Sequence, residues 1–122
     1  MDKPTPPHGL GHLRIVLTDK AYIGPGRADL LDGIAKTGSI SAAGKAMGMS
    51  YKRAWGLVQA LNEGFGQPLV ETARGGAAQG GASLTPLGQE VLARYRAMQE
   101  ATEAAIAEDI AALRAKISDI SE

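Results

Sequence analysis

Eleven side chains near the C-terminus fall into one row: Leu84, Leu87, Val91, Tyr95, Met98, Thr102, Ile106, Ile110, Leu113, Ile117 and Ile120. Each follows the last by three or four positions, and the row advances 36 residues in ten steps. That mean of about 3.6 keeps the row on one face of a straight α-helix. Thr85-Pro86 is a helix start, a capping threonine followed by a proline whose missing N–H costs nothing at the first helical position. The spacing predicts a helix from Pro86 to Ile117, about 48 Å long. A chain of 122 residues makes about one domain, and one small domain cannot cover a stripe of that length. A second copy of the helix can. Leu87, Val91, Tyr95, Met98, Ile106, Ile110, Leu113 and Ile117 are the expected seam of a homodimer. The competing expectation is a break near Gln99–Thr102 that folds the helix back on its own domain.

The rest of the composition is that of an ordinary globular chain, 44 % hydrophobic and 21 % charged. No apolar run approaches the length of a membrane span, and Met1–Leu10 has no apolar core of the kind a signal peptide needs. The expected location is the cytoplasm, without membrane contact. There are no cysteines, which excludes disulfides, thiolate metal sites and cysteine nucleophiles. Net charge is zero, with 13 basic and 13 acidic residues, but the charges are segregated. Residues 1–83 hold nine Lys/Arg against six Asp/Glu, and residues 84–122 hold four against seven. Between Asp32 and Glu63 there is no acid, while Lys36, Lys45, Lys52 and Arg53 are present. Such asymmetry is a partner signal.

Residues 1–12, rich in proline and glycine, read as a flexible arm. Leu13–Thr18 is short, branched and apolar, and reads as a strand. From Arg27, the positions Leu30, Leu31 and Ile34 have helical spacing and Gly38 stops it, although Gly33 weakens the pattern. A short second helix follows, with Ile40, Ala43 and Met47 on one face and Ser39 or Ser41 as cap. Gly48-Met49-Ser50 interrupts. A third helix runs from Tyr51 to about Glu63, with Ser50 as N-cap. Ala54, Val58, Leu61 and Phe65 face inward; Lys52, Arg53, Gly56, Gln59 and Glu63 face outward. Leu69–Thr72 and Ala82–Leu84 are expected as the two strands of a hairpin. Between them Arg74–Gly81 holds four glycines in eight residues, an exposed tip. The expected division is an arm at 1–12, a compact domain at 13–84, and the long helix and tail at 85–122.

Two helices joined by Gly-Met-Ser form a helix-turn-helix candidate over residues 40–63. In that motif the second helix lies in the major groove, and its first residues reach base edges. Tyr51, Lys52 and Arg53 occupy those positions. Lysine and arginine there neutralise phosphates or donate to guanine acceptors, Gln59 lies on the same outward face, and Gly56 permits close approach. The competing reading is a helical hairpin with a solvated basic face. A glycine-tipped hairpin after three helices makes the expected fold a winged helix-turn-helix, mainly α, with a short N-terminal strand and a long C-terminal dimerisation helix. Arg74 and the backbone amides of Gly75 and Gly76 are the candidate wing contacts. Lys45 reads equally as a phosphate contact or a solvated lysine. Ser41 reads as a helix cap or phosphate donor, and Ser50 stands at the edge of the same surface. The glycine loop has no Gly-Lys-Ser/Thr, and so is no nucleotide cradle.

The segments Gly38-Ser-Ile-Ser-Ala-Ala-Gly-Lys-Ala-Met-Gly-Met-Ser-Tyr-Lys-Arg-Ala-Trp55, Leu69-Val-Glu-Thr-Ala-Arg-Gly-Gly76 and Gly80-Gly-Ala-Ser-Leu-Thr-Pro-Leu-Gly88 resemble the DNA-binding domain of the ModE-type molybdate-responsive regulators. The resemblance covers roughly residues 13–115, and a looser one runs to LysR-type winged helices. It implies a dimer joined by the long helix, double-stranded DNA as partner, and targets in molybdenum or metal metabolism. The molybdate-binding module of such regulators carries a Ser-Ala-Arg-Asn type motif. This sequence has none, so no oxyanion-binding residues carry over, and the expectation is a chain without that module. Where family wings often bear a basic residue, this one has Ala77-Ala78-Gln79, leaving Arg74 as the nearby cation. An alternative is an interaction module whose long helix pairs with a longer, sensor-bearing paralogous regulator.

Signals for an enzyme are weak. His8 and His12 are spaced like zinc ligands on a helix, but Pro6, Pro7, Gly9 and Gly11 surround them and no third ligand follows. No metal or cofactor is expected, nor any catalytic residue. Tyr51 and Trp55 could be read as an aromatic box, but Trp55 is better placed as core, packing the third helix onto its neighbours.

Overall fold

In the computed structural model, residues 9–73 and 81–117 are described. The order is β1 (Ile15–Val16), β2 (Tyr22–Ile23), α1 (Pro25–Thr37), α2 (Ile40–Ala46), α3 (Tyr51–Phe65), β3 (Val70–Thr72), β4 (Ala82–Leu84) and α4 (Pro86–Arg114). This is the winged helix-turn-helix arrangement, mainly helical, with two small antiparallel strand pairs.

The strand expected at 13–18 is reduced to β1 and has a partner that sequence reasoning missed. Val16 pairs with Tyr22 and Ile15 with Ile23. The Thr18 hydroxyl closes the turn by accepting from the Lys20 and Ala21 amides. A strand of two residues carries too little periodicity to be seen. α1 begins at Pro25, not Arg27, because the proline sits in the first turn behind Gly24.

Leu30, Leu31, Ile34, Ile40, Ala43, Ala54, Val58, Leu61, Leu69 and Tyr95 are buried in one core. The three helices approach closely because small residues stand where they cross. A Cβ on Gly33 would come within 2.9 Å of the Ala43 Cβ, and one on Gly44 within 2.7 Å of the Ala54 Cβ. The glycine that weakened the α1 pattern is thus a packing residue.

Ser39, not Ser41, caps α2: its hydroxyl accepts from the Ala42 amide at 2.9 Å. Ser41 is left exposed in the first turn. Ala82 N–H donates to Gly38 O at 2.8 Å, tying the wing to the start of α2. Asn62 of α3 fastens the other strand. Its Oδ1 accepts from the Leu69 amide at 2.8 Å and the Val70 amide at 3.3 Å, and its Nδ2 donates to Val70 O at 3.4 Å.

α4 is unbroken through Gln99–Thr102, which overturns the folded-back alternative. It ends at Arg114, one turn before the expected Ile117, and is about 43 Å long. Its start is pinned twice by Thr85, whose Oγ1 donates to Pro68 O at 2.8 Å and accepts from the Gly88 amide at 3.0 Å. The core continues past residue 84 into α4. Leu87, Val91 and Met98 pack against it half-buried, and Tyr95 is fully buried. Tyr95 is therefore a core residue and not part of an exposed seam. Its hydroxyl donates to Leu13 O at 2.6 Å, and burial pushes its pKa up, which keeps the donor protonated. Arg96 adds an ion pair to Asp29 of α1 at 2.8 Å.

Gly88 is the tightest contact of α4. A Cβ there would meet Leu69 O at 2.1 Å and Leu69 C at 3.0 Å, both backbone atoms that cannot swing away. Gly88→Ala is expected to destabilise the domain by about 1–3 kcal/mol, the usual range for overpacking. A urea midpoint unchanged from wild type would show that α4 can lift off β3 freely.

Candidate nucleic-acid interface

α3 presents two faces. Ala54, Val58 and Leu61 are buried beneath it, and Phe65 is half-buried. Lys52, Arg53, Gly56, Gln59 and Glu63 are exposed on the other side, as their spacing predicts. Ser50 starts the helix: its hydroxyl accepts from the Arg53 amide at 3.1 Å. The hydroxyl is engaged in capping, and its contribution to the surface is to set where Tyr51, Lys52 and Arg53 begin to project. The turn before it is closed by Met49 N–H donating to Gly44 O at 3.0 Å and by Gly48 at φ +75°, a left-handed conformation that glycine adopts without strain.

Trp55 is half-buried against the core rather than fully enclosed. Tyr51 stacks on it, with ring centroids 6.4 Å apart and planes 14° from parallel. Tyr51 remains 56 % exposed. The aromatic pair is thus a ledge, fixed from below and open above, at the opening of α3. Lys45 and Ser41 lie exposed on α2.

Among the described residues neither Lys52 nor Arg53 is in an ion pair, whereas Lys36 pairs with Asp32, Arg94 with Glu90 and Arg96 with Asp29. Within the acid-free stretch, Lys36 is thus paired, while Lys52 and Arg53 at the opening of α3 have no carboxylate partner among the described residues. Arg74, Gly75 and Gly76 of the expected wing tip lie outside the described residues. The strands that carry the tip pair Val70 with Leu84, Glu71 with Ser83 and Thr72 with Ala82.

Among the described residues no group of three His, Cys, Asp or Glu is placed to hold a metal. No helix there is long and apolar enough to cross a membrane. Of the expected seam, the proximal positions serve the domain core. Distally, Ile106 and Ile110 are half-buried, with Gly9 of the N-terminal segment approaching Ile110. Leu113 and Ile117 are 69 % and 57 % exposed.

Comparison with known proteins places this geometry. Residues 27–89 match the profile of the bacterial regulatory helix-turn-helix proteins of the LysR family. The molybdenum-pterin-binding protein MopB of Rhodobacter capsulatus is 49 % identical over 79 residues, 65 % of this chain and 29 % of that protein. The DNA-binding transcriptional dual regulator ModE of Escherichia coli is 42 % identical over 83 residues, 68 % of this chain and 32 % of that protein. The chain thus spans about a third of the length of these curated relatives. In fold it is similar to the protein in the crystal structure of a CbnR_DBD-DNA complex, with TM-score 0.58 and 24 % identity over 72 % of this chain and 95 % of that one. It is also similar to a LysR family transcriptional regulator, with TM-score 0.56 and 22 % identity over 77 % of this chain and 30 % of that one. The chain belongs to the LysR family of bacterial regulatory helix-turn-helix proteins.

Proposed function

We propose that the chain is a sequence-specific DNA-binding transcriptional regulator of the ModE type, acting as a homodimer on inverted-repeat operators in molybdenum metabolism. The observation that carries this reading is the outward face of α3. Its opening residues are exposed, capped, free of carboxylate partners and backed by a rigid apolar face. A helix of this form fits the major groove, where Lys52 and Arg53 can reach phosphates or guanine edges. Lys45, Ser41 and Gln59 would extend the contact, and Arg74, Gly75 and Gly76 would supply it from the wing. The molybdenum connection is supported by the relatives MopB and ModE, which are named for it or regulate transcription.

The homodimer is supported by the distal half of α4, where Leu113 and Ile117 stand exposed beside Ile106 and Ile110. Pairing two such helices relates the two recognition helices by a two-fold axis, which is the symmetry of an inverted repeat. The same positions would accept the helix of a longer paralogous regulator. Sedimentation of the pure chain separates the two arrangements, because only self-association yields a dimer without that partner.

Selection of bound duplexes by the pure protein, with and without molybdate, tests the whole reading and should return a palindromic consensus. Within that consensus, Lys52→Ala and Arg53→Ala are each expected to weaken binding. A residue in bidentate contact with guanine should lose about 1–3 kcal/mol and relax discrimination at one base pair. A phosphate contact should weaken all duplexes alike and flatten the salt dependence by about one unit of slope. If both variants bind as wild type does, α3 is not the recognition helix.

A further inference from the structure

A cleft of about 210 Å³ lies between the flank of α3, the β1–β2 hairpin and the start of α1. His12, Arg14, Arg27 and Arg53 line it, and no carboxylate does. None of the three arginines is in an ion pair among the described residues. Asp29, the nearest acid along α1, is turned away to Arg96.

Two of the guanidinium groups are held in place by one aromatic ring. The guanidinium carbons of Arg14 and Arg27 stand 3.8 and 3.7 Å from the Tyr22 centroid. Two groups so close to one centroid must occupy opposite faces. The stacking orders both cations without neutralising either. The Nε–H of Arg27 is buried and has no acceptor, and its Nη1 makes only a long contact, 3.5 Å, to Tyr22 O. α1 begins here without a side-chain cap, since its N-cap is Gly24. Pro25 has no N–H, and the amides of Gly26 and Arg27 point out of the positive end of the helix with no acceptor among the described residues. The basic side chains that line the cleft and the open amides at the start of α1 suit the same ligand, a compact anion with several acceptor oxygens.

We propose that this cleft binds a phosphate-like tetrahedral oxyanion. Two sources carry that chemistry. One is a backbone phosphate of the duplex beside the groove that α3 enters, for which Arg53 is shared between helix and cleft. The other is a free inorganic oxyanion. Only the first source rests on the DNA-binding reading.

The test uses the full, isotopically labelled chain titrated with inorganic phosphate at constant ionic strength, against chloride as control. The Gly26 and Arg27 amide resonances and the Arg27 Nε–H resonance should shift saturably with phosphate and not with chloride. Adding a duplex then separates the sources. If the duplex moves the same resonances and phosphate competes with it, the ligand is a phosphodiester. In that case Arg27→Gln should flatten the salt dependence of duplex binding by about one unit of slope, while Arg27→Lys, which keeps the charge, should retain part of it. If phosphate shifts them and the duplex leaves them still, the ligand is a free oxyanion. If neither phosphate nor duplex moves them, the proposal is overturned. Duplex binding followed by anisotropy in the same samples reports independently on the DNA-binding reading. The wild-type titration decides the matter even if Arg27→Gln loses the Tyr22 stack and folds poorly.

Discussion

Tyr95→Ala is expected to cost the domain about 3–5 kcal/mol, the range for emptying a buried aromatic site. Small domains have about 5–15 kcal/mol in total, so the variant should be largely unfolded under mild denaturant. The reasons are specific to this position. The ring is fully buried among α1, α4 and the N-terminal segment, and its hydroxyl supplies the donor to Leu13 O across 82 residues of chain. Tyr95→Phe keeps the ring and removes the donor, so it should cost only about 1 kcal/mol. Urea unfolding of the pair, at two protein concentrations, checks both figures. A Tyr95→Ala protein with a wild-type midpoint and a weakened dimer would return Tyr95 to the seam between protomers.

The opposite behaviour is expected about three to four turns further on. Ile106→Glu combined with Ile110→Glu should leave the folded domain intact and abolish association. Burying one isoleucine is worth about 1.5–3 kcal/mol, and a two-fold seam counts each position twice. Replacing both by carboxylates removes that gain and places like charges across the axis, on a helix segment already carrying Glu100, Glu103, Glu108 and Asp109. The monomer should bind an inverted repeat weakly with both recognition helices unchanged, since each half-site is then engaged separately. Sedimentation and anisotropy on the same preparation measure the two consequences. A variant that remains a stable dimer, or a wild-type monomer with full operator affinity at micromolar concentration, would show that α4 does not join the protomers.

The contrast between these two variants marks how far the sequence could be read. Spacing located α1 through α4, because apolar side chains repeating at helical intervals leave a record along the chain. Chemistry at the boundaries was equally legible. Ser50, Thr85-Pro86 and Gly38 cap or stop helices through contacts with residues no more than four positions away. The exposed face of α3 followed from the same period, since whatever lies opposite Ala54, Val58 and Leu61 must meet solvent.

Other features were decided by contacts between residues far apart in the chain, which leave no periodic trace. β2 became a strand only because β1 lies beside it. Asn62 resembles any polar helix residue until Leu69 and Val70 arrive at its amide. Gly33, Gly44 and Gly88 look like flaws in helical patterns, and are the points where neighbouring backbone or side chains come too close for a Cβ. The sequence by itself determined that a long apolar stripe runs along α4, because that depends on helical period alone. Only the tertiary structure decided how it is divided. Packing against α1 and the wing takes Leu87, Val91, Tyr95 and Met98 into the core, while Leu113 and Ile117 lie beyond the domain's reach.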